Sequence, residues 1–243
     1  MKSFLFKALS ALSVFCSIFG FVALFFADEN KFLIAVVVYS IAITAFFIAL
    51  FVLVYKSLSF KYNEKYKRIA ALLTFSCDDK KKAVFENRKI IQSKTPFLSE
   101  VEYKRKWYGT GSPIFKVNGV PVAYSTNGKP DEYDIVPIKM NKILAYNETS
   151  SFSTSYETQF SDYEPFYGCR VEEPTDFIQF RILLGYKSGK AKPASLYKKS
   201  NKPGSTASEI FLENIDFDAK HKLYFKLIDD PEVGYDYFIK WQK

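Results

Sequence analysis

Two uncharged apolar runs open the chain. Residues 8–27 and 32–55 contain no Asp, Glu, Lys or Arg, and the polar knot Asp28-Glu29-Asn30-Lys31 separates them. A helix rises ~1.5 Å per residue, so runs of about 20 and 24 residues each reach across a hydrocarbon core ~30 Å thick. The pattern predicts a transmembrane hairpin of two helices over residues 1–55, with the knot as its tip. A cleaved signal peptide fits less well. The first run exceeds the usual apolar core of about 7–15 residues, and Phe25 stands three positions before Asp28, where cleavage wants a small side chain. Lys2 and Lys7 precede the first run, Lys31 alone lies between the runs, and Lys56, Lys61, Lys65, Lys67 and Arg68 follow the second. By the positive-inside tendency both termini are expected on the cytoplasmic side, with the knot outside.

Beyond residue 55 the periodicity changes twice. Over 56–76, Tyr62, Tyr66, Ile69, Leu72 and Leu73 recur at spacings of three and four, which predicts an amphipathic helix continuing from the second span. Residues 83–92 fit a helix or a strand. So do 95–109, where Thr95 before Pro96 resembles a helix N-cap. These segments form an expected helical connector and mixed segment over 56–110.

From about 111 to the C-terminus, β-branched and aromatic residues alternate with turn residues, the signature of short strands. Asn118-Gly119, between PIFKV and VPVAYS, predicts a hairpin turn. Pro137 marks an edge or a break. Phe152, Thr154, Tyr156, Thr158 and Phe160 share one face of a predicted strand; Ile178, Phe180, Ile182 and Leu184 share one face of another. Residues 187–208 read as a long basic loop rich in Pro, Gly and Ser, and three further strands complete the chain. Eight to ten short strands fit a closed antiparallel β-barrel, with a β-sandwich as the alternative. The expected fold is therefore a two-helix transmembrane hairpin plus a cytoplasmic, mainly-β domain.

Charge and chemistry refine this picture. The chain carries +8, with 34 basic residues against 26 acidic. A basic domain tethered to a bilayer is drawn to anionic lipid and to anionic ligands. Three cysteines, Cys16, Cys77 and Cys169, are too few and too scattered for a disulfide framework. The single histidine, His221, and the absence of a P-loop, a Gly-x-Ser-x-Gly elbow or a Cys-x-x-Cys pair leave no catalytic residue to assign. Asp131, Glu132 and Asp134 lack the spacing of a calcium loop, so no metal or cofactor is expected. The chemistry that does stand out is cationic and aromatic: Arg105, Lys106, Trp107 and Tyr108, then Tyr167 and Arg170, then Arg181 in an otherwise apolar strand beside Phe177 and Gln179. An arginine there needs an acceptor, either a carboxylate such as Glu172 or Asp176 or a ligand phosphate. Rings stack on bases. These seven residues are the candidate ligand-binding set, for a small nucleotide rather than a nucleic-acid polymer. In the spans, Ser10, Ser13, Ser17 and Gly20, with Ser40 and Thr44, are small or hydroxylated residues that favour helix–helix packing.

Two closely spaced N-terminal spans, a connector and a strand-rich cytoplasmic domain resemble the two-transmembrane β-barrel effectors of bacterial anti-phage signalling, the cyclic-oligonucleotide systems of CBASS type. The resemblance covers the whole chain as architecture, and the candidate residues come from the strand pattern alone. It implies an inner-membrane protein whose β domain senses a cyclic nucleotide and whose spans form a homo-oligomer that damages the bilayer. The other readings of the sequence are an anchored scaffold whose sheet binds a protein partner, and a membrane enzyme, which the sparse catalytic inventory disfavours.

Overall fold

The computed structural model describes residues 29–61, 65–105, 113–122, 133–187, 191–201 and 208–243, divided between two units, 1–63 and 64–243. In the first unit, helix α1 spans Glu29–Lys61. It begins inside the polar knot and continues past the expected end of the span at Tyr55. Within it, Val36–Tyr55 has a mean hydropathy of 2.7 and none of it is buried. A helix apolar all round needs lipid or other helices to cover it, and by length and composition this one can cross a membrane. The first predicted span lies outside the described residues, together with Ser10, Ser13, Ser17 and Gly20.

The second unit is mainly β. The amphipathic helix expected over 56–76 stops at Lys61, and Tyr66–Cys77 is strand β1. Ile69-Ala70-Ala71-Leu72-Leu73 is apolar at every spacing, so it fits a helical stripe and a doubly covered strand equally well. What decides is pairing on both sides: β1 runs antiparallel to β2 (Lys82–Ser93) and parallel to β9 (Thr175–Leu184). Thr95 caps no helix, because β3 (Leu98–Arg105) follows directly. Strands thus begin some 45 residues earlier than the texture of the sequence suggests.

Ten more strands follow: β4 (Phe115–Val117), β5 (Val120–Pro121), β6 (Asp134–Leu144), β7 (Thr149–Gln159), β8 (Phe166–Val171), β10 (Ala194–Ser200), β11 (Ile210–Ile215), β12 (Leu223–Asp229) and β13 (Tyr235–Lys240), with β9 between β8 and β10. They form a seven-stranded sheet, β12-β9-β1-β2-β7-β4-β5, a four-stranded sheet, β11-β10-β13-β8, and a two-stranded sheet, β3-β6. Among the described strands no barrel closes. The parallel β1–β9 pair sits inside the large sheet, and β12 and β5 are left as its unjoined ends. Pro137 lies on β6, which among the described strands pairs with β3 alone, an edge position of the kind that tolerates a residue without an N–H. Residues 194–200, expected in a loop, form β10. Its short alternation buries Ala194 and Leu196 between flanking lysines and serines that obscure it.

One apolar cluster is shared by the two larger sheets: Leu73 and Phe75 of β1 and Phe180 and Ile182 of β9 meet Cys169 and Val171 of β8, Leu196 of β10 and Ile239 of β13. A second, around Ile91, Leu98, Val101, Phe115, Val136, Ile138 and Phe152, fastens the two-stranded sheet to β2, β4 and β7.

The β4–β5 hairpin forms at the predicted turn. Asn118 and Gly119 have φ of 49° and 81°, as a type I′ turn requires. Asn118 is also tied to β7, its N–H donating to the Ser153 carbonyl and its Oδ1 accepting the Ser153 N–H, both at 2.8 Å. Gly119→Ala puts a Cβ on a left-handed residue and is expected to cost about 1–2 kcal/mol. Urea unfolding measures this; an unchanged midpoint would show that the turn is relaxed elsewhere.

Candidate functional site

The site is built from the inward face of the large sheet. On β2, side chains alternate, so Phe85, Asn87 and Lys89 point the same way. Their β7 partners, Tyr156, Thr154 and Phe152, share that face. On β1 the pairing register slips between Arg68 and Ala70. That bulge at Ile69 reverses the parity of everything before it, and Arg68, opposite Ile91, joins the face of Ala71, Leu73 and Phe75. Tyr103 and Arg105 of β3, Tyr167, Cys169 and Arg170 of β8, and Asp236 and Tyr237 of β13 complete the walls of a cavity of about 580 Å³. That volume lies within the range of small-molecule sites.

Its charges are unusually buried. Arg68 is only 2 % exposed. It donates to a carboxylate oxygen of Glu173, to the Arg170 carbonyl at 3.0 Å and to Cys169 Sγ at 3.2 Å. Burial works to lower its pKa, but Cys169, Glu173 and Tyr66 outweigh burial and raise it, so Arg68 stays charged. For Glu173, burial pushes the carboxyl up, while Arg68 and then Lys89 outweigh it and hold the group below its ordinary value. Arg170 reaches Asp236 by two hydrogen bonds, Nε to Oδ1 at 3.0 Å and a terminal nitrogen to Oδ2 at 3.3 Å, and lies 4.1 Å from the Tyr133 ring centre. Arg105 is buried between the rings of Phe115, at 5.0 Å, and Tyr156, at 5.2 Å. Burial raises the Tyr103, Tyr156 and Tyr167 hydroxyls, which stay neutral donors at ordinary pH. Cations, ring faces and neutral hydroxyls lining one hollow can recognise an anion that carries a planar group.

Of the seven residues singled out in the sequence, Arg105, Tyr167 and Arg170 line this cavity. Lys106, Trp107 and Tyr108 lie outside the described residues. Arg181 does not belong to the site. It is exposed on the outer face of β9, opposite Phe225 of β12, while Ile178, Phe180, Ile182 and Leu184 fill the core as expected. An arginine in water needs no buried acceptor, and the carboxylates proposed for it serve others: Glu172 meets Lys104 and Arg170, and Asp176 meets Lys67. Sequence reasoning missed Arg68, Asn87, Lys89 and Glu173. The polar run Glu86-Asn87-Arg88-Lys89 between apolar neighbours was the available signal, but a segment that fits helix or strand does not reveal which residues point inward.

In α1, Ser40 and Thr44 are exposed, and their hydroxyls bond their own helix, donating at 2.8 Å to the carbonyls of Val36 and Ser40. They offer small size to a packing partner rather than free donors. His221 sits in an exposed turn with Nδ1 2.6 Å from Asp218 Oδ2. Among the described residues no group of three His, Cys, Asp or Glu side chains is placed to hold a metal ion.

No family model matches the sequence, and no curated protein does. Among solved structures, similarity was found to an M1 zinc metallopeptidase from Deinococcus radiodurans, at 8 % identity and a TM-score of 0.32, over 68 % of this chain and 43 % of that one. A protein described as a protease of Parabacteroides distasonis matches at 8 % identity and a TM-score of 0.39, over 73 % of this chain and 40 % of the other. The chain spans less than half the length of either, and TM-scores this low carry no argument about fold or activity.

Proposed function

We propose that the chain is a membrane-anchored sensor-effector whose β-rich unit binds a small anionic, ring-bearing ligand, of which a cyclic nucleotide is the best-fitting class. The cavity that places buried cations among tyrosine rings carries this reading. The helix α1, with the apolar run before it as a second span, anchors the protein with both termini in the cytoplasm of a bacterial cell. Ligand binding then shifts the assembly of protomers through small helix residues such as Ser40 and Thr44, and the bilayer is breached in anti-phage defence. The shift can be no larger than the difference in ligand affinity between the two assembly states.

The test is thermal unfolding of the full chain in detergent with a panel of cyclic di- and trinucleotides. A ligand at 100 times its Kd stabilises by about 2.7 kcal/mol, so a rise in midpoint is expected with at least one member. No shift with any member would sink the sensor reading. Growth arrest on expression is expected to vanish when residues 1–55 are deleted, and arrest that persists would remove the spans from the mechanism.

A second reading rests on a different surface. Strand β11 is an edge of the four-stranded sheet and exposes Ile210, Phe211 and Leu212. An apolar strand edge of that kind can accept a partner's strand, which is the scaffold function.

A further inference from the structure

We propose that Lys89 is the anion anchor of the cavity, its ammonium holding a phosphoryl group of a ligand whose planar part lies among the tyrosine rings. This deepens the sensor reading and rests on the cavity being a ligand site. Lys89 is 8 % exposed and lines the hollow. Its Nζ lies 4.7 Å from the centre of the Tyr103 ring, and among the described residues it makes no hydrogen bond and no ion pair. A buried ammonium without a carboxylate is costly to a fold. Four other cations of the cavity are already matched: Arg68 with Glu173, Lys104 with Glu172, Arg170 with Asp236, and Lys240 with Glu209. An incoming anion therefore competes with an ion-paired carboxylate at each of these, whereas at Lys89 the carboxylates of Glu173 and Glu172 act only from beyond ion-pairing distance.

Two residues earlier on the same face, Asn87 Oδ1 is buried and accepts no hydrogen bond among the described residues. It offers an acceptor for a donor on the ligand's ring. The surroundings of Lys89 are also set for a switch of charge. Burial first, and then Arg68, pull its pKa down to about 8, against the opposing pull of Glu173, Cys169 and Glu172. Part of the population is thus neutral at mildly alkaline pH, and a bound phosphoryl group favours the charged form.

Pyridoxal is a probe that carries an aldehyde and a ring. Neutral Nζ adds to the aldehyde carbon, water leaves as the imine forms, and borohydride delivers hydride to give a stable secondary amine readable by peptide mass. With the full chain in detergent near pH 8, Lys89 is expected to be the fastest-labelled lysine. Inorganic phosphate, by holding Nζ in its charged form, should slow it about tenfold, the value of one charge-assisted contact. Lys89→Arg should keep the wild-type melting point and lose this fast label. Labelling of Lys89 that is absent or indifferent to phosphate overturns the proposal. Protection by a cyclic dinucleotide supports both the anchor and the sensor reading. Phosphate-sensitive labelling that glycerophosphoglycerol blocks and cyclic dinucleotides do not keeps the anchor, and replaces the sensed nucleotide with a lipid headgroup.

Discussion

Arg68→Met is expected to cost the β-rich unit about 3–5 kcal/mol, the usual penalty for stranding one member of a buried ion pair. Three acceptors lose their donor together: the Glu173 carboxylate, the Arg170 carbonyl and Cys169 Sγ. Glu173 is itself buried and keeps a charge without its guanidinium partner. Against a typical domain stability of about 5–15 kcal/mol, such a loss leaves the variant marginal. The double variant Arg68→Met/Glu173→Gln removes the stranded charge and should recover much of the cost. Urea unfolding of the full chain in detergent, followed by far-ultraviolet circular dichroism, reads both. A single variant within about 1 kcal/mol of wild type would show that water enters and solvates the carboxylate. The same pair dictates acid behaviour. The folded-state pKa of Glu173 lies below its ordinary 4.5, so its contribution is complete above 4.5 and fades as pH falls through the folded value. That acid loss should be missing from the double variant.

Local signals were legible where one segment decides its own structure. The uncharged run 32–55 is the apolar helix, Asn118-Gly119 is the turn, and the alternation in 176–184 is a core strand. Arg105, Tyr167 and Arg170 reached the cavity because polar residues amid aromatics on a strand need a reason to be there. Long-range pairing was not legible. Nothing within Tyr66–Cys77 announces that two strands will flank it, and only those flanks turn an ambiguous apolar run into β1. Nor does the sequence show a bulge at Ile69. Simple alternation puts Arg68 on the face away from Ala71 and Leu73, and the extra residue brings it inward to Glu173. Arg181 is the converse case. Its strand is apolar throughout on the inner face, while the outer face mixes Phe177 and Leu183 with Gln179 and Arg181 and leaves Arg181 exposed next to an exposed Phe225. Which face of a strand is covered depends on the sheet laid over it, and that sheet comes from residues 166–240.

The residue that joins core to cavity is Phe75, and Phe75→Ala is expected to cost about 3–5 kcal/mol, as large aromatic truncations in a packed core do. Phe75 is 0 % exposed and touches the rings of Phe85 and Trp241, each at 4.8 Å, and Tyr163 at 5.0 Å. Removing it leaves a void that these rings fill only in part, and Trp241 emission should shift to the red as water reaches the indole. Phe225→Ser on the exposed face of β12 is the control, 51 % exposed and expected to stay within about 0.5 kcal/mol. The larger consequence lies on the cavity side. Phe85 and Tyr163 line the hollow, and Phe85 stacks on Tyr156 at 4.7 Å and 12°. A preformed ring surface binds well because its ordering cost is met on folding rather than on binding. Phe75→Ala frees those rings, so whatever stabilisation a cyclic nucleotide gives to the wild type should shrink in this variant below its melting point. A variant that loses stability yet keeps the full ligand-induced shift would place the binding surface away from Phe85 and Tyr163, on the β8–β13 wall around Arg170 and Asp236.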